Sequence, residues 1–276
     1  MKILSLLIAA FFVVIACSAA DLKELKKRAR QGDVTSILKL GHFYAKSDFR
    51  TRDITKALKY YKKAADRSCP EAQYILGNMT ALGKGVKKNL TQAAAWYEKA
   101  AARGFAAAQN RLGELYISGK GVTQNDETAL KWFRKAAASG LPRAQYNLGL
   151  AHLQGWGTDT DPENAVMWLK MSAEQGLDIA QFRLAVILEQ GGKGIQKDLK
   201  SAYEWLQKAA ESGMTAAQLK IAAMLAHGRG CKKDLKKAAR WLDRAEKAGC
   251  QAAHSLRKTL IEKNGNKPRK RNEKRK

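Results

Sequence analysis

Shifted by 36 residues, the chain falls onto itself: Ala72-Gln73, Ala108-Gln109, Ala144-Gln145 and Ala180-Gln181 coincide, and Ala217-Gln218 follows after one extra residue, placed at Gly191-Gly192. The same frame aligns Tyr60, Trp96, Trp132, Trp168, Trp205 and Trp241, so five of the six tryptophans share one column. A period of this length marks a stacked-repeat architecture, in which each unit buries its apolar face only against its neighbours.

Within each copy, apolar residues recur at helical spacing on both sides of a glycine-rich turn. This predicts helix A over about 71–82 and helix B over about 90–103 in the first complete copy. Helix B opens at a column of Asp53, Asn89, Asn125, Asp161, Asp198 and Asp234, side chains that accept hydrogen bonds from first-turn N–H groups. It closes at Gly32, Gly104, Gly140, Gly176, Gly213 and Gly249, with Ser68 as the exception, where a left-handed residue ends a helix. A column of small residues, Gly41, Gly77, Gly113, Gly149, Ala185 and Ala222, lets the paired helices approach closely, and becomes Lys258 in the last copy. The chain is therefore expected to be all-α. About six 36-residue helix-turn-helix repeats form an α-solenoid over 33–264, with capping helices at 21–32 and at 251–264. A terminal helix needs one wet face, which accounts for Lys258.

Both ends differ from this body. Lys2, the apolar run Ile3 to Ile15 and the small residues up to Ala20 read as a signal peptide over 1–20, implying export to the periplasm or the exterior. Two processing routes stay open: cleavage after Ala20, or lipidation of Cys17 within Val14-Ile15-Ala16-Cys17, which would anchor the protein to the envelope. The run is short of the length a spanning helix needs. Residues 265–276 hold seven Lys/Arg against Glu273 and read as a disordered basic tail.

Charge narrows the partners without naming one. Lys and Arg number 51 against 25 Asp and Glu, a net +26, and such a field favours anionic partners or surfaces. The inter-helix turns place Lys84, Lys120, Lys193 and Arg229 in one column, reinforced by Lys87, Lys88, Lys197, Lys232 and Lys233, so stacking predicts a basic ridge. An anionic envelope polymer or membrane surface fits it, and so does a merely solvated surface. Nucleic acid is disfavoured, because an exported chain leaves cytosolic DNA and no nucleic-acid-binding motif is present.

Nothing points to catalysis, a cofactor or a metal. Ser36-Ile37-Leu38-Lys39 and Ser255-Leu256-Arg257-Lys258 match the SxxK pattern of β-lactamase-like hydrolases, but the Ser-Asp-Asn and Lys-Thr-Gly companions are missing. The Gly-Lys-Gly turns lack phosphate-loop spacing and recur as helix connectors. His42, His152, His227 and His254 form no ligand spacing. Cys69 and Cys250 align with Phe105, Leu141, Leu177 and Met214, and Cys231 with Val86, Val122 and Ile195, so buried free thiols are expected.

Ala72-Gln73, Leu76-Gly77, Gly83-Lys84-Gly85-Val86, Ala93, Trp96-Tyr97, Lys99-Ala100-Ala101 and Gly104 together resemble the Sel-one-like repeat, a relative of the tetratricopeptide repeat. The first copy departs from it, with Lys46 to Arg52 in place of the GxGV turn. The resemblance implies a right-handed superhelix that works as a non-enzymatic scaffold for a protein or peptide ligand, in envelope assembly or host interaction. By the same likeness helix A lines the concave face. Its outward residues would be Tyr74 and Asn78, Asn110 and Glu114, Tyr146 and Leu150, and Phe182 and Val186, with Leu153 extending an apolar stretch for a partner. Burial of these side chains between neighbouring repeats is the competing reading.

Overall fold

The computed structural model describes residues 19–46, 53–192 and 194–262. Residues 1–18 with Cys17, most of the first turn, Lys193 and residues 263–276, and with them the leader and tail expectations, lie outside the described residues. Two compact units divide the chain between Gln124 and Asn125. The first holds α1 (Ala19–Arg30), α2 (Val34–Lys46), α3 (Ile54–Ala65), α4 (Pro70–Leu82), α5 (Leu90–Ala102) and α6 (Ala106–Ser118). The second holds α7 (Asp126–Ala138), α8 (Pro142–Gln154), α9 (Pro162–Glu174), α10 (Asp178–Gln190), α11 (Leu199–Glu211), α12 (Thr215–His227), α13 (Leu235–Lys247) and α14 (Gln251–Arg257), followed by a π-helical turn at Lys258–Glu262. Inside each unit every helix packs on the one before it and the one after it, the arrangement of tandem helix pairs in an α-solenoid.

Both ends of helix B form as the sequence predicts. Asp53, Asn89, Asn125, Asp161, Asp198 and Asp234 each accept a hydrogen bond from the backbone N–H three residues on. At the other end the glycine column is left-handed, from φ 80° at Gly104 to 99° at Gly213, and Ser68 adopts φ 63° in the same role. The small column does what it was expected to do: a Cβ on Gly77 would meet the Tyr97 ring at 2.6 Å, and one on Gly149 would meet Leu169 Cγ at 2.8 Å.

The Ala-Gln column has a structural purpose that periodicity alone does not show. Gln73, Gln109, Gln181 and Gln218 are buried at the start of helix A, and each donates its side-chain N–H to a last-turn carbonyl of the preceding helix B, at Ala65, Ala101, Ala173 and Ala210. Such carbonyls have no partner inside their own helix, so in these four copies the glutamine latches helix A to the pair before it, while Gln145 accepts from Gln175 Nε2 at 2.7 Å.

The turns are more than connectors. The second glycine of each turn is left-handed and lies against the start of an earlier helix B: a Cβ on Gly121 would reach Leu90 O at 2.5 Å, and one on Gly157 would reach Asp126 O at 2.5 Å. In the turn with the extra glycine, Gly192 and Ile195 form an isolated antiparallel bridge.

Cys69, Cys231 and Cys250 are free thiols, but half-buried rather than fully buried, because two of them sit at helix starts, where the backbone turns outward. Burial pushes the Cys231 thiol up from its ordinary pKa.

Candidate functional site

On each helix A, beside half-buried residues such as Tyr146, Leu153, Phe182 and Leu188, a row of residues spaced four, three and four apart reaches solvent. On α8 they are Arg143, Asn147, Leu150 and Gln154, and on α10 Ile179, Arg183, Val186 and Gln190, either exposed or half-buried. This row shares one residue of each expected pair. Asn78, Glu114, Leu150 and Val186 lie on it, whereas Tyr74, Tyr146 and Phe182 are half-buried against neighbouring helices and Asn110 is buried.

Those inward positions are corrected accordingly. Tyr74 packs on Tyr97 and Phe105, with ring centroids at 5.9 and 5.3 Å. Asn110 is only 2% exposed and donates to Glu114 Oε1 at 2.9 Å. Tyr146 and Leu153 pack on the core around Leu169 and Leu184, and Phe182 on the core around Leu206 and Ile221. Burial pushes the Tyr146 phenol above its ordinary pKa, as expected of a ring committed to the interior. Asn78 is on the outward face but accepts the Tyr97 hydroxyl at 2.8 Å, and Glu114 pairs with Arg111 at 2.7 Å. What remains of the apolar stretch is Leu150 and Val186, joined by Ile179, with Arg143 and Arg183 between them.

The basic turns divide. Lys84, Lys87, Lys88 and Lys120 are exposed in the first unit, and Lys197, Lys232 and Lys233 in the second. Arg229 is not a free member of this ridge, because its guanidinium bonds Glu189 Oε1 at 2.8 Å. Glu189 is 9% exposed at its side chain and also pairs with Lys220, so two cations converge on one nearly buried carboxylate and tie α12 and its turn to α10.

A further device escaped the sequence reading. A cation three residues after four of the column's five tryptophans lies over the ring: Lys99 on Trp96 and Lys135 on Trp132 at 4.6 Å, Lys208 on Trp205 at 3.9 Å, and Arg244 on Trp241 at 4.6 Å. The spacing of three on a helix was the signal that could have found it. In the remaining tryptophan copy the cation is replaced by Met171, which is 40% exposed. Of the two SxxK serines, Ser36 is 4% exposed and its backbone N–H bonds Asp33 Oδ2 at 2.9 Å, as the first turn of a helix, whereas Ser255 is exposed on α14.

His152 is the buried histidine, with no hydrogen-bond partner at Nδ1 among the described residues. Burial holds its pKa below the ordinary 6.5, with Arg134 acting the same way and Asp161 opposing. The folded protein therefore keeps this ring neutral while the unfolded chain takes up a proton below about pH 6.5, so stability falls as pH drops from there toward the depressed pKa. Leucine occupies the same repeat position at Leu188 and Leu225. His152→Leu is expected to flatten this acid-side loss, read as urea midpoints at about pH 7.5 and about pH 5.5.

The model of the Sel1 repeat matches residues 34–69, 70–105, 106–141, 142–177, 178–214 and 215–250, most of the chain. The chain is similar to a protective antigen present in uropathogenic Escherichia coli strains, with 31% identity over 89% of this chain and a TM-score of 0.82. It spans only 52% of that antigen's length. It is also similar to a Sel1 repeat protein from Oxalobacter formigenes, at 35% identity over 86% of this chain and 68% of that one, with a TM-score of 0.77. No curated protein matches it.

Proposed function

Because the chain belongs to the Sel1 repeat family, whose members generally act as protein-protein interaction scaffolds, we propose that it works as an adaptor outside the cytoplasm, holding an extended protein segment along the helix-A face of its second unit. The observation that carries this reading is the composition of that face: Leu150, Ile179 and Val186 reach solvent among Arg143 and Arg183. Apolar anchors set between guanidinium groups suit a segment whose apolar side chains alternate with carboxylates, since burial supplies affinity and charge supplies register. The leader-like first twenty residues support the location, as does the likeness to an E. coli protein described as a protective antigen. Whether the role lies in envelope assembly or in host interaction depends on the partner's source.

A second reading rests on the exposed turn lysines Lys84, Lys87, Lys88 and Lys120, which would hold the protein to an anionic polymer or membrane surface. Affinity capture from envelope extract at low and high salt separates the two. The adaptor reading expects a protein retained at high salt and lost with Leu150→Asp plus Val186→Asp. Retention that vanishes with salt and with Lys84→Ala plus Lys88→Ala, but survives the aspartates, would replace it with the electrostatic reading.

A further inference from the structure

The N-terminal end of the first unit carries a cleft unlike its neighbour. About 410 Å³ in volume, it is lined by Lys26, Ala29 and Arg30 of α1, Tyr44 of α2, and Lys56, Lys59, Tyr60 and Lys63 of α3. Five cations thus converge on one space, and among the described residues that line it none is acidic. Its floor is a parallel pair of rings, Tyr44 on Tyr60, with centroids at 5.6 Å and planes 3° apart.

The repeat supplies an internal control. The next cleft of the same unit is lined by Ala65, Asp66, Trp96 and Lys99, at the positions of Ala29, Arg30, Tyr60 and Lys63. There an aspartate replaces the arginine, and Lys99 lies over the Trp96 ring. Two more cations are lost, with Gln92 at the position of Lys56 and Ala95 at that of Lys59, while Lys62 keeps the position of Lys26 and Arg103 joins the lining. No later copy restores the set, since the Arg30 position becomes Ala102, Ala138, Glu174 and Glu211. In the first cleft Tyr60 is stacked by Tyr44, and Lys63 reaches the Ala29 carbonyl at 3.4 Å. Lys56 is shared with Asp53 at 3.0 Å in an exposed pair, which holds it weakly. The general demands of the repeat therefore do not account for five cations here; they repel one another until an anion neutralises them.

We propose that this cleft binds a compact ligand bearing two or more phosphate groups. Each phosphate monoester carries about −1.5 to −2 charge and three acceptor oxygens, so two of them balance the cations within a space of this size, whereas carboxylates would need four or five groups. Four of the five cations are lysines, whose ammonium groups bind phosphate as point charges, and the paired rings form a flat apolar floor for the scaffold that links the phosphates. This site is independent of the helix-A face and stands or falls without it.

The test is titration calorimetry of the full chain with inorganic triphosphate, and with citrate as the carboxylate control. The triple change Arg30→Asp, Lys56→Gln and Lys59→Ala installs the residues of the second cleft, which the repeat already accommodates; unchanged thermal unfolding checks that it folds. It is expected to weaken triphosphate binding by roughly a hundredfold. Lys84→Ala, Lys87→Ala, Lys88→Ala and Lys120→Ala together remove the same net charge from the turns and should leave that binding within about twofold. Co-sedimentation with phosphatidylcholine vesicles carrying lipid A, a bis-phosphorylated glycolipid, distinguishes the source. Vesicle binding lost with the cleft variant assigns a lipid-borne ligand, and vesicle binding indifferent to it assigns a soluble one. Absence of saturable triphosphate binding, equal binding of citrate, or equal loss in both variants would overturn the proposal.

Discussion

Gly157→Ala is expected to cost about 2–5 kcal/mol of stability, while Gly176→Ala, in the same unit, should cost about 1–2 kcal/mol. Both glycines are left-handed, at φ 66° and 87°, so alanine meets the same backbone penalty at each. They differ in what surrounds them. A Cβ on Gly157 would lie 2.5 Å from Asp126 O and 2.6 Å from Glu127 Cα, whereas nothing lies within 4 Å of one on Gly176. The first obstacle is backbone at the start of α7, which cannot move aside as a flexible side chain could. The difference between the two variants in chemical denaturation isolates the close approach between a turn and the preceding helix B. Equal losses would show that the second glycine of each turn is needed only for its φ.

The double change Lys220→Ala and Arg229→Ala is expected to lose about 3 kcal/mol, because it leaves the Glu189 carboxylate nearly buried without a counter-charge. Adding Glu189→Ala, the residue found at the equivalent Ala81 and Ala226, should recover much of the loss, since no charge then remains to be desolvated. The comparison is made by urea unfolding at neutral pH. If the triple variant is as unstable as the double, the two cations contribute through packing rather than through Glu189.

These two predictions mark where reading the sequence succeeded and where it stopped. Columns of identical residues exposed the repeat, the Asp/Asn starts of helix B, the left-handed ends with Ser68 among them, and the small positions facing Tyr97 and Leu169. Each of these has a local physical cause written within one copy. Of each outward pair expected on helix A, the second member lies in the row with Ile75, but the first, such as Tyr74, packs against neighbouring helices. That division is fixed by two neighbours packing on opposite sides. Glu189 could not be paired from sequence either, because its partners Lys220 and Arg229 lie in the next copy and one of them sits in the turn column that had been assigned to an exposed ridge. The cleft at Tyr44 and Tyr60 was invisible for a related reason. Its five cations are spread over residues 26–63 in a chain where lysine is everywhere, and only the fold shows that they share one space without an acid.

The adaptor reading turns on which face of the second unit meets the partner. Photo-crosslinking decides it, with a photoreactive residue placed at Val186 on the helix-A face or at Met171 on the opposite helix of the preceding pair, both solvent-accessible. The account predicts a discrete adduct with an envelope protein from Val186 that persists at high salt, and none from Met171. An adduct from Met171 with none from Val186 would contradict it.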